Sequence, residues 1–411
     1  MSTYQPLSPA EEVFWRKVRE EFLLAPNEIY LNSGTWSAVP RRAHEAVIAA
    51  LREVERNPTM QLRILRERAA WVRDRIADYA GSKRTDLVFF PNVTMAINAL
   101  LRGLPLQGGE AIYSDQEYGA SVTALRFVAM RRGMTVRSFP LPQTPHEPAE
   151  IVDAVRAALR PETRLVLLSH VTSPTGMVLP VEHIGPLLAE RGVRFVVDGA
   201  HAPGSVPLYL DRLVCDGYGG NLHKWFLGPK GTAFAWVPQY HQGEIDPLIV
   251  GFGGFRQREQ NPQTTSAPMG TKFQASFGMQ GCFDLSPFLG LATTLDFRTE
   301  IGEERILTRL RQLAAYTRAV FARELGWRLV TPTHPELSAA MSTFEMPAFF
   351  RDRAPDLQTW FYERYRITVA FHVPAGSSPL IRISPHIYNS EAEIDRLTQC
   401  LKQELDTFGN H

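Results

Sequence analysis

Residues 194–204 read RFVVDGAHAPG, and residues 217–231 read GYGGNLHKWFLGPKG. The first stretch is an apolar run, too short for a helix, that passes straight into Asp198, then small residues and His201. A carboxylate at the C-terminal end of a parallel strand stands where open α/β sheets bind their ligands. The second stretch reads as a glycine-rich turn that surrounds Lys224 with Gly, Trp and Phe. A lysine amine kept from water in such a setting loses basicity and becomes competent to form a Schiff base. Taken singly, a strand-end aspartate and a snorkelling lysine are ordinary structural features. Their order, Asp then Lys across one crossover, makes them a pair.

Working outward, the chain alternates short apolar strands with helices. A first amphipathic helix is expected over 9–24, where Val13, Phe14, Val18 and Phe22 recur at helical spacing. The segment 29–40 (IYLNSGTWSAVP) is rich in turn residues and reads as a loop. Helices follow over 41–56 and 62–80, the strand LVFF at 87–90, a helix from about 94, a strand near 111–113, a helix over 119–132 and a strand over 135–139. A helix over 149–160, the strand RLVLLSH (164–170), a helix over 181–191 and the strand RFVVD (194–198) continue the alternation. Such crossover units predict an α/β fold with a mainly parallel sheet flanked by helices. The stretch 240–285, with GFGGF at 251–255, breaks the pattern and reads as an excursion that forms a subunit contact or a site loop. Long helices over 286–324, strands near 327–330 and 340–346, a helix over 355–366, strands over 367–371 and 379–384 and a helix over 390–407 make a smaller α+β domain. The expected organisation is an N-terminal helical segment (1–30) packing with the small domain, a large domain (31–285) and the small C-terminal domain (286–411).

Composition narrows the function. The 411 residues carry 44 Lys and Arg against 43 Asp and Glu, a formal charge of +1. That balance offers no field for a phosphate backbone or an anionic membrane, so nucleic-acid and lipid-surface partners are not expected. Three scattered cysteines, Cys215, Cys282 and Cys400, are too few for a disulfide framework or a thiolate metal site. With no apolar leader and no membrane-length apolar run, the expected location is the cytoplasm. Walker, dinucleotide, zincin and nucleophile-elbow motifs are all absent, and the 11 histidines do not fall at metal-ligand spacings, so no metal is expected.

DGAHA (198–202), NLHKW (221–225) and the following PKG (229–231) resemble the cofactor site of the class V aminotransferase family, a branch of the fold-type I pyridoxal-phosphate enzymes. The resemblance runs from YLNSG near residue 30 to LIRISPHIYN (380–389), and is closest to the branch of isopenicillin-N epimerase-like proteins. It implies the fold-type I architecture, with a seven-stranded, mainly parallel sheet and a smaller C-terminal domain. It also implies pyridoxal 5'-phosphate held by Lys224, which would then move protons at the substrate Cα. Asp198 would pair with the pyridinium nitrogen and keep the ring an electron sink. His201 would bond the ring's phenolic oxygen or orient Asp198, unless it is only a satisfied loop histidine. The strand–turn–helix LVFFPNVTMAIN (87–98) would present the Val93 backbone and Thr94 to the phosphate at a helix N-terminus, a role compatible with Thr94 as a plain N-cap. Asn221 and His223 would add side-chain donors to the phosphate. Tyr118, where many relatives carry His, would stack on the ring. Ser173 matches a position near the phenolic oxygen, and Thr271 one that reaches the phosphate of a neighbouring subunit, which implies a homodimer with shared sites. Arg382, between Ile381 and Ile383, faces the opposite side of its strand from them. It would clamp the substrate carboxylate, with Asn32 beside it.

A carboxylate clamp and a lysine-bound pyridoxal phosphate together imply an α-amino acid substrate. Desulfurases of the family use a cysteine on the loop ahead of the arginine strand, and ITVAFHVPAGSSPL (367–380) holds none. The remaining outcomes of Cα–H cleavage are epimerisation, elimination of a β or γ substituent (including carbon–sulfur cleavage of a cysteine conjugate) and transamination. Elimination or epimerisation is favoured over transamination. Epimerisation asks for a second acid/base facing Lys224, for which Tyr118, His372 and Tyr388 are candidates. A non-catalytic cofactor-binding sensor is disfavoured, because no basic DNA-binding module precedes residue 30.

Overall fold

The computed structural model describes residue 4 and residues 6–251, 270–278, 280–352, 356–373 and 378–408. Most of GFGGF (251–255), and any gating by 251–260, therefore lies outside the described residues. The chain opens with α1 (Pro9–Glu20), whose N-terminus is closed by a reciprocal Ser8–Glu11 capping box. It continues with β1 (Ile29–Tyr30), α2 (Arg41–Val54), α3 (Pro58–Tyr79), β2 (Leu87–Phe90), α4 (Val93–Gly103) and β3 (Glu110–Ser114). Next come α5 (Gly119–Arg131), β4 (Thr135–Phe139), α6 (Pro148–Ala158), β5 (Thr163–Ser169), α7 (Val181–Ala189), β6 (Arg194–Gly199), β7 (Gly217–Asn221) and β8 (Ala233–Trp236). The C-terminal part holds α8 (Lys272–Gly278), α9 (Ser286–Ile301), α10 (Glu303–Glu324), β9 (Ser342–Glu345), α11 (Leu357–Tyr365), β10 (Ile367–Thr368), β11 (Ala370–His372), β12 (Leu380–Ile383) and α12 (Glu391–Phe408).

The large sheet has seven strands in the order β2-β8-β7-β6-β5-β3-β4. β4, β3, β5, β6 and β7 run parallel, and β8 is antiparallel to both its neighbours, β7 and β2. Helices cover both faces, which is why β2, β5 and β6 read as apolar runs. In β5, Leu165 and Leu167 enter the core beneath α4 and α5, while Val166 and Leu168 enter the core of the other face. A separate core around Phe321, Phe344, Phe361 and Ile381 lies beneath the three-stranded antiparallel sheet β11-β12-β9.

Three readings need correction. The glycine-rich 217–221 is a strand, not a turn: β7 pairs with both β6 and β8. Its glycines are demanded by close packing. A Cβ on Gly217 would stand 2.5 Å from Leu100 Cδ2 of α4, and one on Gly220 would stand 2.4 Å from Phe234 Cζ of β8. Ile29 and Tyr30, read as loop, pair in parallel with Ile367 and Thr368 as β1 and β10. The strand expected near 327–330 reduces to a single bridge, Leu329 opposite Phe344.

Candidate active site

The adjacent strands β6 and β7 end side by side; β6 carries Asp198 near its end, and the continuations of the two strands carry His201 and Lys224 into the same cleft. α4 begins beside them with Asn92 as N-cap, and the small sheet contributes His372 from β11 and Arg382 from β12. The same cleft is lined by Val93, Thr94, Tyr118, Ser121, Ser169, Ser173, Asn221, His223 and Trp36.

Asp198 is buried and held on both oxygens: Ser121 Oγ donates to Oδ2 at 2.6 Å, and the Ala200 N–H donates to Oδ1 at 3.0 Å. Lys224 Nζ lies 3.1 Å from His201 Nε2. Burial, reinforced by the positive charge of Arg382 and opposed by Asp198, brings the Lys224 amine down to about 7. His201 is held well below the ordinary histidine range by burial first and by Lys224 next. His201 is therefore largely unprotonated near neutral pH, and a substantial share of Lys224 is unprotonated with it.

Asn221 Oδ1 accepts from the Val93 N–H at 3.0 Å, and Asn92 Oδ1 accepts from the Met95 N–H at 2.9 Å. This changes the expected anion site. The Val93 amide is spent on Asn221, so the α4 terminus offers the Thr94 N–H and hydroxyl together with the Asn221 side-chain amide nitrogen. His223 Nδ1 lies 3.1 Å from the Thr232 carbonyl and donates to it, and burial lowers the ring to about 4. It donates to an anion through Nε2 only as an imidazolium.

Arg382 is buried, with NH1 donating to the Ser173 carbonyl at 2.9 Å and to Ser173 Oγ at 3.0 Å. NH2 donates to Asn32 Oδ1 at 3.3 Å and Thr35 Oγ1 at 3.2 Å, while Nε has no partner among the described residues. No carboxylate among the described residues pairs with it. Two other buried arginines, Arg298 and Arg309, each hold a carboxylate, Glu303 and Glu391 respectively. Burial lowers Arg382 to about 10, which still leaves it charged at neutral pH. The Ser173 hydroxyl accepts from the guanidinium, which leaves its own proton free to donate into the cleft, and Asn32 accepts from the same guanidinium.

Tyr118 lies at the N-terminus of α5 with its side chain half exposed to the cleft. His372 also lines the cleft; its Nε2 has no partner among the described residues, and burial lowers the ring to about 4. Tyr388 does not belong there. Its hydroxyl bonds Ser33 Oγ at 2.6 Å beneath α1, with the ring against Phe22, so it is no second acid/base. Thr271 also lies outside this chain's cleft, where it caps α8 by accepting from the Gln274 N–H at 3.3 Å.

Sequence reasoning missed Ser121, Ser169 and Glu117. Glu117 is buried under the Asp198 end of the sheet, where Ser114 and Ser169 donate to it at 2.6 and 2.5 Å. Burial, with Asp198 adding to it, pushes this carboxyl up to about 8. A serine in the first turn of α5 carries no signal in a single sequence. An acid next to Tyr118 did stand within SDQEYGAS (114–121).

A cleft at the ends of parallel strands, with a desolvated lysine beside a buried carboxylate, defines a cofactor-dependent α/β enzyme of fold type I. Residues 29–397 match the family model described as aminotransferase class V. The chain belongs to that family and is a pyridoxal-phosphate-dependent enzyme. It is 36% identical over 394 residues to an isopenicillin N epimerase of Amycolatopsis lactamdurans, covering 95% of this chain and 98% of that protein. It is also 36% identical to the isopenicillin N epimerase of Streptomyces clavuligerus, covering 94% and 97%. Among solved structures, the cystine C–S lyase C-DES in complex with its product cysteine persulfide superposes with a TM-score of 0.80. That match has 25% identity and covers 92% of this chain and 97% of the other. No helix among the described residues is long and apolar enough to cross a membrane, and no cluster of metal-ligating side chains is present among them.

Proposed function

We propose that this protein acts on an α-amino acid by breaking its Cα–H bond and returning a proton to the opposite face, an epimerisation. The observation that carries the reading is Arg382, a buried cation with no carboxylate partner among the described residues, opening into the same cleft as the Lys224 amine of lowered basicity. A buried guanidinium left with only neutral acceptors favours an incoming carboxylate. Pyridoxal phosphate, when bound, supplies the electron sink for the pair released by the Cα–H bond.

The surrounding residues suit that group. The Lys224 amine is free to attack a carbonyl and to take a proton. Asp198, held by Ser121 and Ala200, presents a fixed carboxylate for a ring nitrogen. Thr94 and Asn221 offer donors for a phosphate at the α4 terminus. Tyr118 offers an aromatic face, and Arg382, supported by Ser173 and Asn32, receives the carboxylate. Tyr118 and His372 are the groups in the cleft that remain for the second proton transfer. Two isopenicillin N epimerases among the relatives support this choice.

Elimination of a β or γ substituent is the second reading, favoured by the likeness to a cystine C–S lyase. A desulfurase that carries sulfur on its own cysteine does not fit. Cys215 and Cys400 are buried, and none of the three cysteines lines the cleft. We further propose a homodimer in which Thr271 reaches the partner's phosphate site.

The deciding experiment incubates the holoenzyme with single-enantiomer amino acids, amino-acid-bearing peptides and cysteine conjugates in deuterated water without keto acid. Inverted product with deuterium at Cα supports epimerisation. Sustained release of ammonia and keto acid would establish elimination instead. A single stoichiometric conversion to the pyridoxamine form would overturn both in favour of transamination.

A further inference from the structure

Trp225, the residue after the site lysine, is fully buried, and its surroundings leave it one orientation. Its carbonyl accepts from Arg298 NH1 at 3.0 Å and from His386 Nε2 at 3.0 Å. The His386 ring stacks on the indole at 5.7 Å and 25°. The Ile387 N–H donates to His386 Nδ1 at 2.8 Å, so the proton of that ring sits on Nε2 and is given to the Trp225 carbonyl. Held in this way, the indole Nε1–H points at His201 Nδ1, 3.3 Å away. An indole nitrogen is only ever a donor, so His201 Nδ1 must accept. The proton of a neutral His201 then lies on Nε2, which faces Lys224 Nζ at 3.1 Å.

We propose that Trp225 is a positioning residue that fixes His201 in the Nε2–H tautomer, so that the imidazole always donates toward Lys224 and whatever ring oxygen is brought beside it. The reverse tautomer would offer a lone pair, which stabilises an ammonium on Lys224 and repels a phenolate. The charged and titratable groups facing this pair are Asp198 from β6, Arg382 from β12, His372 from β11 and His223. None of them bonds His201 Nδ1, so the tautomer depends on Trp225. The inference deepens the proposed use of Lys224 and His201, yet its test does not depend on turnover.

Full-length protein labelled with ¹⁵N-histidine, with and without pyridoxal phosphate, is examined by long-range nitrogen–proton correlation, with His201 assigned by its loss in His201→Gln. The expected result is protonated Nε2 and unprotonated Nδ1 in both samples, and a mixture of tautomers in Trp225→Phe. In the cofactor-free Trp225→Phe protein, the midpoint of Lys224 reductive methylation should move up by about one pH unit, the shift a single hydrogen bond supports. Wild-type His201 protonated on Nδ1 would overturn the proposal without any variant. So would a Trp225→Phe protein that folds and keeps the wild-type tautomer. Failure to form a borohydride-reducible adduct at Lys224 would instead strike the cofactor assignment and leave the tautomer result standing.

Discussion

Lys224 and Arg382 are both buried cations of one cleft, and burial treats them alike but leaves them with different chemistry. The lysine, at the end of the large sheet, falls to about 7 and is available as a nucleophile and base. The arginine, on the small sheet, falls only to about 10 and stays charged. A guanidinium starts so far above neutrality that desolvation cannot discharge it, whereas an ammonium is within reach. One apolar setting therefore yields a reactive amine at the end of the large sheet and an anion receptor on the small one. The charge of Arg382 in turn helps to depress Lys224. A substrate carboxylate that neutralised Arg382 would relax this effect at the moment of binding.

The comparison can be broken most severely at Lys224. Lys224→Ala is expected to lower turnover by roughly 10³-fold or more, as loss of a positioned acid/base does. The lysine adduct should also vanish from the mass spectrum of borohydride-reduced protein. Arg382→Ala should raise the amino-acid KM about 30-fold or more, the effect of removing a partner from a buried charged pair, while equilibrium dialysis finds cofactor affinity nearly unchanged. An unchanged KM would put the carboxylate elsewhere. The lowered lysine also sets a pH dependence. Below about 7 the amine is protonated and unreactive, so capture of pyridoxal phosphate by cofactor-free protein should accelerate with rising pH and level off above that value. Rapid-mixing absorbance would follow it, and a midpoint near an ordinary lysine value would refute the desolvation account. The smallest effect is expected at Ser121→Ala. Loss of its 2.6 Å bond to Asp198 should cost about 1 kcal/mol, roughly a fivefold fall in kcat/KM measured by steady-state kinetics.

Strands β5 and β6 and their helices were legible because buried parallel strands must be continuously apolar and amphipathic helices must repeat. β7 was not, because GYGGN owes its composition to the close approach of α4 and Phe234, contacts that local pattern does not contain. Within the site, Asp198 and Lys224 declared themselves by chemical type and order on the chain, whereas the roles of His201 and Arg382 were implied by the resemblance to the class V family. Ser121 and Glu117 did not, since a serine or a glutamate acquires meaning only when an oxygen is brought against it. Tyr388 had the right chemistry and the wrong location, and the Val93 amide was already taken by an asparagine 128 residues away.

The amino-acid sequence alone determined the α/β alternation, the order Asp198 then Lys224, and the absence of a cysteine ahead of Arg382, because periodicity and residue type are local properties. Only the tertiary structure decided that Lys224 is lowered in basicity, that Arg382 meets no carboxylate among the described residues, and that His201 is tied to Trp225. Each of these depends on how much water is excluded and which dipoles remain, and those are set by chain segments far apart in sequence meeting at the strand ends.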